Sequence, residues 1–168
     1  MRPRNTVTVV LAGAIASLLN VTAARAHCQI PCGIYDDTMR VDMILEDVQT
    51  IEKSIAQIQA LAGKSSPTDV NQLVRWIVNK DAHADKIVEV VTVYFLQQRI
   101  KPPQADDSVG AKKYADELIA LHGLLVTAMK AKQTVDPAIP GQLKELVERF
   151  RQLYFTPEEL AHGAQHSH

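Results

Sequence analysis

The sequence predicts an all-α protein, an antiparallel up-and-down four-helix bundle preceded by an N-terminal metal-binding hook. Three observations carry this expectation. Apolar residues recur at steps of three and four in four stretches separated by short breaks rich in Pro, Gly, Ser or Asp. No stretch of useful length alternates with the period of two that a half-buried strand needs. The only two cysteines, Cys28 and Cys32, sit together ahead of the first periodic stretch. With 168 residues, 46% apolar and 22% charged, the chain has the length of one domain and enough apolar side chains for a core. Its 18 Lys and Arg nearly balance 19 Asp and Glu without a basic block, which argues against a nucleic-acid binder or a polybasic membrane protein.

Residues 1–26 read as a cleaved signal peptide. Arg2 and Arg4 precede an almost wholly apolar run over 7–21, and Ala24-Arg25-Ala26 supplies an A-x-A cleavage site. The run is shorter than the ~20 residues that span a bilayer, so no membrane attachment is expected of the mature form. Signal peptidase is the expected processing partner and the periplasm or the exterior the expected destination. Cutting after Ala26 removes three of the 18 basic residues and none of the acids, leaving a net charge of −4 on 142 residues. It also makes His27 the first residue, with a free α-amine whose proton, of pKa roughly 7.7–8.0, a metal can displace near neutrality.

The first helical face comprises Val41, Ile44, Leu45, Val48, Ile51, Ile55, Ile58 and Leu61 within 37–62, Gly63 with Ser65-Ser66-Pro67 stops it, and Thr68 or Asp69 is the expected cap of the next helix. The second pattern runs from Val70 to about Ile100 with a polar interruption at 79–83, which predicts one long helix or two with a kink. Pro102-Pro103 ends it. Residues 104–110 read as a loop, with Asp106 and Asp107 as solvated charges. A third pattern follows through Tyr114, Leu118, Leu121, Leu125 and Met129, and a fourth through Leu143, Leu146, Val147, Phe150 and Leu153. Short connections favour antiparallel neighbours, placing the bundle over 36–155. The 5% aromatic share favours a core of Val, Leu, Ile and Ala. Residues 156–168, with His162, His166 and His168, read as a flexible tail.

The segment 27–35 carries the chemistry. The α-amine of His27, the amide nitrogen of Cys28 and the thiolates of Cys28 and Cys32 offer two nitrogens and two sulfurs in a plane, and the His27 imidazole can reach the position above it. Such a set suits nickel or copper(II) better than zinc, which prefers a tetrahedron. Thiolates and a deprotonated amide stabilise a higher oxidation state, which brings Ni(II)/Ni(III) cycling into range of mild oxidants and reductants.

The residues H-C-x-x-P-C-G-x-Y over 27–35 resemble the nickel hook of the nickel-containing superoxide dismutases, and the helical patterns after it resemble that family's bundle. The resemblance implies disproportionation of superoxide into dioxygen and hydrogen peroxide, one nickel ion per subunit held by His27, Cys28 and Cys32, Tyr35 gating small anions over the open face, and a homohexamer. In the family, a glutamate and an arginine support the axial imidazole. Counting from His27 puts Met43 at the first of these positions, and local similarity around 80–83 puts His83 at the second, with Asp42 as another candidate support. Arg40, Lys53 and Arg75 are candidates for drawing in the anion. Two other readings follow from the residues: an exported helical nickel or copper carrier without catalysis, using the hook and the His-containing tail, and a small Cys28–Cys32 disulfide loop on an interaction domain. His83 and His122 read equally as surface or partner-bonded histidines.

Overall fold

Helix ends in this protein are decided by single residues. In the computed structural model, which describes residues 37–163, α1 spans Asp37–Leu61 and buries the face read from the periodicity, with Val41, Ile44, Val48 and Ile51 fully enclosed. Gly63 closes it in the left-handed region at φ 82°, where a side chain would be strained. The next helix, α2 (Pro67–Glu89), opens on Ser66, whose Oγ accepts from the Asp69 N–H at 3.1 Å, with Pro67 in the first turn, where its missing N–H is no loss.

No kink occurs at the polar interruption, because each of its polar residues there finds an inward or lateral partner. Asn79 Nδ2 donates to Ser54 Oγ at 3.1 Å, Lys80 is buried, and His83 meets Asp47. The irregularity falls later, where the chain continues from α2 into a ten-residue π-helical segment, Val90–Arg99. Its end is marked by the Ile100 N–H donating to the Phe95 carbonyl at 2.9 Å, five residues back.

Helix α3 spans Ser108–Gln133 and starts inside the stretch read as loop, because Asp107 is a cap: its Oδ1 accepts from the Gly110 N–H at 2.8 Å. Helix α4 spans Ile139–Tyr154. A short fifth helix, α5 (Pro157–Gly163), lies within the stretch expected to be flexible. It has a local cause in reciprocal capping, since Thr156 Oγ1 accepts from the Glu159 N–H at 3.3 Å while Glu159 Oε2 accepts from the Thr156 N–H at 2.8 Å.

The four long helices pack in a closed ring, α1 on α2, α2 on α3, α3 on α4 and α4 back on α1. Salt bridges Lys144–Glu52 (3.1 Å) and Arg151–Asp42 (2.5 Å) run up the α1–α4 seam in opposite chain directions, as an antiparallel pair requires. At Gly123 on α3 a Cβ would come within 2.9 Å of Leu146 Cδ2, so glycine lets α4 approach closely there. The core is aliphatic over most of its length, but one end departs from the all-aliphatic expectation. Tyr94, Phe95, Phe150, Tyr154 and Phe155 gather there with ring centroids 4.8 to 5.6 Å apart, mostly edge to face. Among the described residues no helix is long and apolar enough to cross a membrane.

The opposite end is tied by Lys80. The last carbonyls of α3 have no partner within their own helix. The Lys80 ammonium, buried on α2, donates to the carbonyls of Ala131 and Lys132 (3.0 Å to the latter) and pairs with Asp81 at 2.9 Å. A cation there also complements the negative end of the helix dipole. Replacing Lys80 by Met leaves the buried Ala131 carbonyl and the partly buried Lys132 carbonyl without this donor and is expected to cost about 2–3 kcal/mol, read as a lower midpoint in urea unfolding with an unchanged slope.

Candidate functional site

The hook residues His27, Cys28, Cys32 and Tyr35 lie outside the described residues, as do residues 1–26 and 164–168. Among the described residues, no group of three or more His, Cys, Asp or Glu side chains is arranged to hold a metal ion. The described residues do include the platform to which the hook segment is joined, because the chain passes from Tyr35 into α1 within two residues.

The first residue of α1, Asp37, is the centre of that platform. Its Oδ1 accepts from the Tyr94 hydroxyl and from Arg99 Nη2 at 2.7 Å. Its Oδ2 accepts from the Tyr154 hydroxyl at 2.6 Å and from Arg99 Nε at 3.0 Å. The Arg99 contact is bidentate, the geometry that best matches a guanidinium to a carboxylate. Three elements converge here: the start of α1, the π-helical segment and the final residue of α4. Tyr94 and Arg99 are five residues apart, and on an α-helix, at ~100° per residue, they would diverge by roughly 140°. Hydrogen bonding from each residue to the fifth before it widens the turn and brings such residues nearer to one face, so the π-helical segment lets both reach one carboxylate. The guanidinium groups of Arg40 and Arg99 lie 5.0 and 5.5 Å from the Tyr94 ring centroid, adding cation–π contact.

The electrostatics follow from this crowding. Burial favours the neutral form of Asp37, but the hydrogen bonds from Arg99, Tyr154 and Tyr94 outweigh it and hold the carboxyl below its ordinary range. Burial first, and the hydrogen bond to Asp37 second, push Tyr94 up to about 12 and raise Tyr154 as well. Arg99 is held more firmly protonated by its bond to Asp37.

A second polar pair crosses from α1 to α2. His83 Nδ1 and Asp47 Oδ1 are 2.6 Å apart, with Asp47 only 6% exposed. Burial raises the Asp47 carboxyl although His83 opposes this. The partner of His83 is therefore Asp47, a residue the sequence reading did not single out. Asp42 is engaged by Arg151 instead, and Met43 lies at the surface with its sulfur 3.9 Å from Arg40 Nη1. Of the three cations considered for drawing in an anion, Arg40 stands at the Asp37 end. Lys53 lies over the Trp76 ring (6.0 Å), 16 residues or roughly 24 Å further along α1, and Arg75 adjoins Trp76 on α2. His122 is exposed.

Asp37, Tyr94, Arg99 and Tyr154 were not marked as a group by helical periodicity. One signal was available in the repeated Tyr-Phe pair, at 94–95 and again at 154–155, which puts a hydroxyl beside an apolar ring near the end of two helical patterns.

Compared with known families, residues 22–157 match the family model described as nickel-containing superoxide dismutase. No curated protein and no solved structure matches the chain.

The clamp carries a pH signature. A free tyrosine ionises near 10.0, whereas Tyr94 in the fold does so at about 12. The stability it contributes is complete below pH 10 and is lost as pH rises through about 12. The depressed Asp37 contributes in the other direction, present above 3.8 and lost as pH falls through its lower folded value. Alkaline titration followed by phenolate absorbance is expected to show a component with a midpoint near 12 that disappears in Tyr94→Phe.

Proposed function

Since the chain belongs to the nickel-containing superoxide dismutase family, and is thereby a nickel-dependent oxidoreductase acting on superoxide, we propose that residues 27–35 form its metal site, with His27, Cys28 and Cys32 as ligands and Tyr35 beside the open position. The observation that carries this reading is the placement of both cysteines of the chain in H-C-x-x-P-C-G-x-Y directly after an A-x-A cleavage site. The donor set fits nickel: amine and amide nitrogens with two thiolates suit a planar d8 ion, and no other cysteine is present to supply sulfur. When bound, nickel supplies a one-electron Ni(II)/Ni(III) couple that spans the oxidation of one superoxide and the reduction of the next.

The remaining work falls to the chain. Signal peptidase, on export to the periplasm or beyond, frees the His27 amine. The amine gives up its proton to become a donor, and the imidazole of the same residue would be a further donor to the metal. The Tyr35 hydroxyl would order small anions and water beside the metal. The product is hydrogen peroxide, so two protons must reach the site in each half-reaction that reduces superoxide. The non-catalytic carrier is not the reading that family membership favours.

Assembly into a hexamer belongs to the same proposal. In support, α2 carries Val70, Val74, Ile77 and Val78 on its outer face, 46, 53, 40 and 62% exposed, at steps that make one stripe. Val74→Glu combined with Val78→Glu is expected to reduce the mass in solution, by light scattering, with unchanged helical circular dichroism. A wild-type protein that is already a monomer removes the assembly reading.

The site reading is tested by comparing protein that begins at His27 with protein carrying one extra residue ahead of it. The extended form is expected to keep its helical content and lose both stoichiometric nickel and superoxide dismutation. Equal nickel content and turnover in the two forms contradict the amine-ligand site.

A further inference from the structure

We propose that Asp37, held by Tyr94, Arg99 and Tyr154, is a positioning residue for the metal-binding segment: it fixes the point from which that segment leaves the bundle. This rests on the reading of residues 27–35 as the nickel site.

The geometry is more elaborate than helix stability asks for. An aspartate in the first turn of a helix already complements the dipole when left in water. Here the Asp37 side chain is only 14% exposed, and each of its oxygens takes two donors. A buried ion pair is weak evidence for stability, because well-packed apolar residues of similar volume often do as well. What such a network does supply is a single arrangement. A carboxylate that receives a planar fork and two hydroxyls tolerates little rotation or translation before bonds break.

The donors also come from the right places. Tyr154 brings in the end of α4, and Tyr94 with Arg99 brings in the π-helical segment, so the start of α1 is referenced to two other walls of the bundle. Asp37 is two residues from Tyr35 and five from Cys32 along the chain. Metal ligands work within tolerances of about 0.5 Å, which a chain end with only one covalent attachment does not hold unaided. The π-helical backbone, uncommon in proteins and often found at functional sites, is retained where it serves this contact.

The experiment uses nickel-loaded protein beginning at His27 and follows nickel loss to excess EDTA, together with the electron-resonance spectrum of the oxidised protein. Asp37→Asn keeps the shape and removes the charge. It is expected to speed nickel loss about 10-fold or more and to broaden or shift the spectrum. Tyr154→Phe removes one donor of four and is expected to act in the same direction to a smaller extent, and it carries the test should Asp37→Asn fail to fold. Lys80→Met, which loosens the far end of the bundle, is expected to leave the rate of nickel loss at the wild-type value. Wild-type rates and spectra in the Asp37 and Tyr154 variants overturn the inference while leaving the nickel site standing. Equal acceleration in Lys80→Met overturns it too, because general destabilisation then explains the effect. A wild-type protein that takes up no nickel overturns the site reading itself and, with it, the inference.

Discussion

A carboxylate taken out of water into a wall of aromatic rings must be met by donors on both oxygens, and much of this bundle's architecture at one end follows from meeting Asp37. Removing such a charge from water costs several kcal/mol. Hydrogen bonds to a charged group return about 1.5–3 kcal/mol each, so one or two would leave a deficit and four bring the cost and the gain to the same order. That arithmetic makes Tyr94, Arg99 and Tyr154 a set. It also accounts for the backbone between them, since Tyr94 and Arg99 meet the same carboxylate across five residues in a π-helical segment. The rings of Phe95 and Phe150 pack behind the two tyrosines and keep the hydroxyls aimed at Asp37 rather than at solvent.

The other polar contacts of the interior obey the same rule with different residues. The stretch 79–83 looks like an interruption because it is polar, yet its side chains tie α2 to both neighbours. Asn79 and His83 reach α1, at Ser54 and Asp47, and Lys80 reaches the last turn of α3. Each contact is satisfied at one register of the helices and broken by sliding one of them a turn. Apolar faces alone tolerate such slippage, since Val, Ile and Leu interchange with modest loss. The bundle therefore has an aliphatic middle that supplies driving force and polar contacts toward both ends that select the alignment.

What the sequence made legible divides along this line. Apolar spacing located all four bundle helices, and Gly63 was read correctly as a stop because it acts through its own backbone, whereas the cap of α2 is Ser66, through its hydroxyl, and not Thr68 or Asp69. Asp107 was taken for a solvated charge although it is a cap, since a loop aspartate and a capping aspartate differ only in where the helix after them begins. The short helix after Thr156 was missed because its two capping bonds outweigh a weak apolar pattern. The π-helical segment and the pairing of Asp37 with residues 57 to 117 positions away leave no local trace, being set by tertiary contact. The proposed hook draws on the opposite kind of signal: its candidate donors lie within six consecutive residues, so the reading of residues 27–35 as a metal site uses local sequence alone.

That contrast bears on why a metal site would sit at a chain end at all. A free α-amine exists only at a first residue, so a ligand set that uses one is confined to a terminus and, in an exported protein, to the product of processing. A terminus has a single covalent attachment and tends to be poorly ordered unless something ties it down. Accuracy at the metal must then come from local chelation, in which the amine, the amide and the thiolate of neighbouring residues close small rings, together with a rigid point of departure from the fold. On the proposed reading, Cys28 and Cys32 belong to the first of these requirements and Asp37 to the second. A four-bond network around the first residue of the first helix would hold that departure point still, whereas the same network placed at mid-helix would fix helix register and do nothing for the segment ahead of it.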